Sequence, residues 1–192
     1  MTDDATAAAR VESLADPEAL HEREDVPYEE DERDLPAEKF EALRERYEQL
    51  AGVTQFGITN DDGGVLLAGD ESYAPLGGNV RPDDDWVAAT ERAASALFAV
   101  DVRVDHPTMV ERTVFRHEDD PDRAFVADSV LFEASVVPTD DGRVDSFLAT
   151  PSFVDDLDHP MYGGDETTLA WFDAVTDDVH ENHRGHVERF LD

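Results

Sequence analysis

The sequence predicts a mixed α/β fold, with a sheet of mixed strand direction, helices on its faces, and an acidic helical leader in front. Three observations predict it. Hydrophobic residues fill 40% of 192 positions, enough for a core of ordinary domain size. Segments rich in Val, Phe and Thr, bounded by turn residues, recur between residues 53 and 137. A strongly apolar helical segment, 86–98, lies among them.

The leader is assigned to residues 1–51. Thr2 or Asp3 can cap a first short helix, and Pro17 punctuates it. The stretch HEREDVPYEEDERDLP is too polar to pack strongly. Residues 37–50 make a better helix, because Phe40, Leu43, Tyr47 and Leu50 recur on one face. That face is expected to pack on the main domain or to mediate assembly, a homodimer being one form of it.

The main domain is assigned to residues 52–192. It opens with VTQFGITN as a strand, turns at 61–64 (DDGG) and returns through VLLAG. Residues 77–85 read as a loop, and the helix begins after Pro82 and the acidic cluster 83–85. Strands are expected at 100–104, 109–116 and 124–137, with HEDDPDR as the loop between the last two. Residues 138–165, with Pro138, Pro151, Pro160 and Gly163-Gly164, read as irregular. LAWFD is a short strand, and HENHRGHVERFL a closing helix.

Charge bounds the function classes. Forty-eight acidic residues face fifteen basic ones, for a net −33, and Lys39 is the only lysine. Such an excess repels itself in dilute buffer, whereas in molar salt the Debye length falls to about 3 Å and the repulsion is screened. The acids are spread over every segment. The composition resembles that of cytoplasmic proteins from salt-in halophilic archaea. With no basic patch, nucleic acid is excluded as a partner. Without cysteine there are no disulfides or thiolate metal sites. No signal peptide opens the chain and no apolar run approaches membrane-spanning length, so a soluble cytoplasmic protein is expected.

The stretch 77–100, GGNVRPDDDWVAATERAASALFAV, resembles the signature of the Nudix hydrolase superfamily, G-x5-E-x7-R-E-U-x-E-E-x-G-U. Counted from Gly78, Asp84 falls on the first acidic position, Arg92 on the arginine and Val100 on the final aliphatic. Gly77 supplies the glycine that commonly precedes the box. The opening hairpin and the segment ETTLAWFDAV, with Glu166 and Trp171, add to the likeness, which spans about residues 52–178. The resemblance implies an α/β/α sandwich, a nucleoside-diphosphate-type ligand near Gly77, Gly78, Asp84 and Arg92, and magnesium as cofactor if the protein hydrolyses it. The three glutamates that hold magnesium in the family stand here as Ala93, Ala96 and Leu97, so the resemblance implies a degenerate box.

Three functions follow. The first is a binding or regulatory domain that has lost or weakened hydrolysis. The second is an active pyrophosphohydrolase with relocated metal ligands, for which Glu91, Glu111, Glu133 and Glu166 are candidates. The third is a scaffold acting through the leader. Simpler readings stand beside these. The acidic cluster 83–85 is a helix cap, the alanine-rich helix is core, and Trp171 is core. Arg92 is a helix residue with Glu91 and Glu111 as candidate partners. Tyr73 and Arg81 could stack on a base. His180, His183 and His186 recur every third residue; a pair at that spacing can share a metal, but successive threes drift around an α-helix, so all three are not expected to converge and a solvated terminal helix is the simpler reading.

Overall fold

The structure is a computed structural model describing residues 10–155, 157, 159, 162 and 166–191. The caps expected at Thr2 or Asp3, and the turn residues Pro160, Gly163 and Gly164, lie outside the described residues. In chain order the elements are β1 (Tyr28–Leu35), α1 (Ala37–Tyr47), β2 (Gly52–Thr59), β3 (Val65–Gly69), β4 (Tyr73–Ala74), β5 (Leu76–Val80), α2 (Trp86–Leu97), β6 (Val102–His117), β7 (Asp120–Val136), α3 (Arg143–Ala149), β8 (Thr168–Phe172) and α4 (Arg184–Leu191). Short 3-10 helices lie at Pro17–Leu20 and Glu181–His183.

All eight strands join one sheet in the order β1-β6-β7-β2-β3-β4, with β5 also on β2 and β8 also on β3. β1 runs parallel to β6 and β2 parallel to β7; the remaining pairs are antiparallel. The expected mixed α/β class is therefore observed.

Strand alternation sorts the core onto two faces. On β3, Leu66 and Ala68 join Ala89, Ala94 and Leu97 of α2 in one cluster, while Val65 and Leu67 join Val187 and Phe190 of α4 in another. A Cβ on Gly57 would meet the Phe190 ring at 2.8 Å, so the absence of a side chain on β2 is what lets α4 sit down. α1 covers the far end of the β6–β7 hairpin, where Phe40 packs edge-on against Phe125 with centroids 5.3 Å apart.

The leader is part of this body. Leu14, Leu20 and Val26 are buried in the same cluster as α2. Asp85 ties the two together. It caps α2 by accepting from the Ala88 N–H at 2.9 Å, and its other oxygen accepts from Ser13 Oγ at 2.6 Å and the Leu14 N–H at 2.7 Å.

Several local expectations are corrected. Pro17 opens a 3-10 helix capped by Asp16, rather than ending one, because a ring-fixed φ suits a first helical position. The polar stretch before α1 contains a strand, β1, held by backbone pairing to β6 with only Leu35 buried. The loop expected at 117–123 shrinks to a turn at Glu118 and Asp119, since β7 begins at Asp120. Inside the irregular 138–165 region sits α3, whose Phe147 packs on Phe98 with centroids 5.1 Å apart. Gly77 and Gly78 lie in strand β5, not in a loop. A Cβ on Gly78 would fall 2.5 Å from the Ala93 Cβ, so the glycine allows β5 and α2 to pack directly.

Candidate functional site

A cleft of about 350 Å³ opens where the end of α1 meets β2 and β5. Gln55 of β2 and Gly77, Gly78 and Asn79 of β5 contribute to its lining, as do Arg46 and Tyr47 of α1, Tyr162 and His183. The antiparallel register sets Gln55 opposite Gly77 and Thr54 opposite Gly78. Beneath them, Thr54 and Thr90 share a buried hydroxyl contact of 2.6 Å that locks β2 to α2.

The polar groups here are organised. Arg46 donates to Asn79 Oδ1 at 3.0 Å and its guanidinium stands 5.9 Å from the Tyr47 ring centroid. The Gly77 N–H donates to Tyr162 Oη at 2.9 Å, and burial pushes the Tyr162 phenol up to about 12, so it stays protonated. Burial also raises the Tyr47 phenol. No aspartate or glutamate is among the described residues lining this cleft. The neighbouring groove differs sharply, since Glu29, Glu30, Asp31, Glu111 and Glu188 line it.

Between the two openings runs a row of histidines. His180 and His183 have ring centroids 5.6 Å apart, and His183 and His186 5.3 Å. The rings line up because 181–183 form a 3-10 turn, in which residues three apart eclipse, before α4 begins at Arg184. The expectation of a drifting set assumed an α-helix throughout. His183 Nδ1 lies 3.3 Å from His186 Nδ1, His186 Nδ1 lies 2.9 Å from Gln55 Oε1, and His186 Nε2 lies 3.2 Å from Glu111 Oε2. Burial, then the neighbouring histidines, bring His183 down to about 4. Hydrogen bonding to His186 outweighs burial at Glu111 and holds that carboxyl below its ordinary range.

No protein-family model matches this chain, and no curated protein matches it in sequence.

The structure separates the residues expected to bind ligand. Gly77 and Gly78 line the cleft. Asp84 and Arg92 instead pair with each other at 2.6 Å at the start of α2, and this contact lowers the Asp84 carboxyl. Arg92 thus finds Asp84, not Glu91 or Glu111. Glu91 accepts from the Val104 N–H at 3.1 Å. Glu133 meets Thr59 and His106 on the sheet, and Glu166 lies beside Asp70 and Glu71 on another surface. Among the described residues, no three histidine, aspartate or glutamate side chains form a group that could hold a metal ion.

The magnesium implied by the Nudix resemblance does not fit the helix. Ala93 packs against Gly78, Leu97 is fully buried in the core, Ala96 is exposed, and none offers an oxygen. Tyr73 packs on Phe172, with centroids 5.1 Å apart, and Arg81 donates its N–H to Asp84; neither lines the cleft. The indole of Trp171, partly buried against the core, donates to the Leu148 carbonyl at 3.1 Å. Sequence reading did not assign Arg46, Tyr47, Gln55, Asn79, Tyr162 or the histidine row to the cleft. The triplet spacing was the available signal, but its alignment depends on where the 3-10 turn gives way to α-helix.

Proposed function

We propose that this chain is a Nudix-type domain that binds a small anionic ring compound, of the nucleoside-diphosphate class, in the α1–β2–β5 cleft without magnesium-dependent hydrolysis. One observation carries the reading. In a chain with net charge −33, the described lining of this cleft has no carboxylate and does have a guanidinium, two phenols and two amides. Elsewhere the surface disfavours anions; here Arg46 can meet a phosphate and Tyr47 or Tyr162 can face a ring. A volume near 350 Å³ suits a mononucleotide-sized ligand. The apolar positions at 93 and 97 support binding without the family's chemistry.

The test is calorimetric titration of ADP, ADP-ribose and NADH in molar potassium salt, with AMP formation followed in parallel with magnesium present. Binding of at least one compound, weakened about ten-fold or more by Arg46→Ala, is expected without turnover. Rapid magnesium-dependent hydrolysis, or affinity that ignores Arg46→Ala, would overturn the proposal.

A further inference from the structure

The arrangement of His183, His186 and Gln55 points to a transition-metal site on the wall of the cleft, and we propose that the two Nδ1 atoms and Gln55 Oε1 bind Zn²⁺ or Co²⁺, leaving a position open toward the cleft. The assignment is independent of the ligand reading above. It also draws on none of the box positions 84, 92, 93, 96 or 97.

Distance is the first argument. Two nitrogens each about 2.0–2.1 Å from a tetrahedral ion stand about 3.3–3.4 Å apart. The two Nδ1 atoms are 3.3 Å apart. Gln55 Oε1 lies 2.9 Å from the same His186 nitrogen and needs to open only by a few tenths of an ångström. Without a metal the cluster is poorly matched. The nitrogen-to-nitrogen contact is long for a hydrogen bond, and His183 and Gln55 compete for one atom of His186.

Orientation is the second argument. Metal-bound histidines commonly donate their other ring N–H to a carboxylate, which fixes the tautomer. His186 Nε2 has that partner, 3.2 Å from Glu111 Oε2. Arg33 Nη2 in turn approaches Glu111 Oε1 at 3.3 Å, and Thr113 Oγ1 donates to the same oxygen at 3.3 Å. The carboxylate is therefore held from three sides.

Donor chemistry is the third argument. Two imidazoles with an amide oxygen favour zinc or cobalt over magnesium or calcium, which take all-oxygen sets. The open position would accept water or an oxygen of a cleft ligand.

Metal-stripped full-length protein in molar potassium salt is titrated with Co²⁺, and visible absorption reports coordination. One Co²⁺ per chain with the intense absorption of a four- or five-coordinate ion is expected. His183→Ala and His186→Ala should each weaken binding at least about ten-fold, and Glu111→Gln about 10–100-fold. His180→Ala should leave affinity within about two-fold. Ring-nitrogen NMR of the wild type with Zn²⁺ should move Nδ1 of His183 and His186, which needs no variant to fold. Only the weak absorption of six-coordinate cobalt, unchanged affinity in folded His183→Ala, or unmoved His183 and His186 nitrogens would each overturn the site. Nucleotide titration of the metal-stripped protein separates this result from the binding proposal.

Discussion

Replacing Asp85 by alanine should cost about 2–4 kcal/mol, far more than a partly exposed residue usually contributes. The sum comes from three donors. Losing the cap on the Ala88 N–H costs about 1 kcal/mol, since water can reach that first-turn donor. Losing the charged acceptor of the Leu14 N–H costs about 1.5–3 kcal/mol before water compensates, because Leu14 itself is 6% exposed. Ser13 is exposed and adds a few tenths. Asp85→Asn keeps one acceptor oxygen and should lose about half as much. The assay is urea unfolding in molar potassium chloride, read as the midpoint at constant slope. Burial pushes the Asp85 carboxyl up, but hydrogen bonds from Ser13, Ala88 and Leu14 outweigh it, and its net position is low. A carboxyl lowered on folding stabilises above its unfolded pKa of about 3.9 and loses that contribution as pH falls through the folded value. The Asn variant should therefore show a shallower acid loss below about pH 4. A loss under about 1 kcal/mol for Asp85→Ala would refute the claim that this carboxylate joins leader to helix.

Two further predictions concern α2 and the histidine row. Leu97→Glu places a charge at a fully buried position and should cost at least about 4 kcal/mol, whereas Ala96→Glu on the exposed side should stay within about 0.5 kcal/mol; thermal melts of both decide it. His183 falls from 6.5 to about 4 on folding, so the unfolded chain binds more protons across that window and stability declines as pH drops through it, by about 3 kcal/mol in full. His183→Gln should lack that component, and identical losses between pH 7 and pH 4 in both proteins would count against it.

The parts of the fold legible in the sequence are those where local and long-range forces agree. β2 alternates in burial from Gly52 to Phe56 and β3 is a short apolar run closed by Gly69, and α2 begins where its acidic cap predicts. β1 was illegible because its pairing is almost wholly backbone; of YEEDERDL only Leu35 is buried. α3 has just Val144 and Phe147 inside, too few to print a period. At the site, the glycine pair was visible, but the salt bridge between Asp84 and Arg92 depends on the turn at 81–84, where Asp83 takes a φ of 68°. The cleft residues come from α1, β2, β5 and the C-terminal turn, and no spacing in the chain announces a juxtaposition across more than a hundred residues.

β1 closes one side of the sheet, pairing with β6 and with no other strand among the described residues. Its outer backbone groups are a template on which another strand could dock. Glu29, Glu30, Asp31, Glu32 and Asp34 fill five of its eight positions. A second copy docking there would sit about 4.8 Å away, bringing two rows of carboxylates together and stripping their water. The segment least able to build a core is thus well suited to guard against fibrous self-association, and neutralising it is where a tendency to aggregate should first emerge.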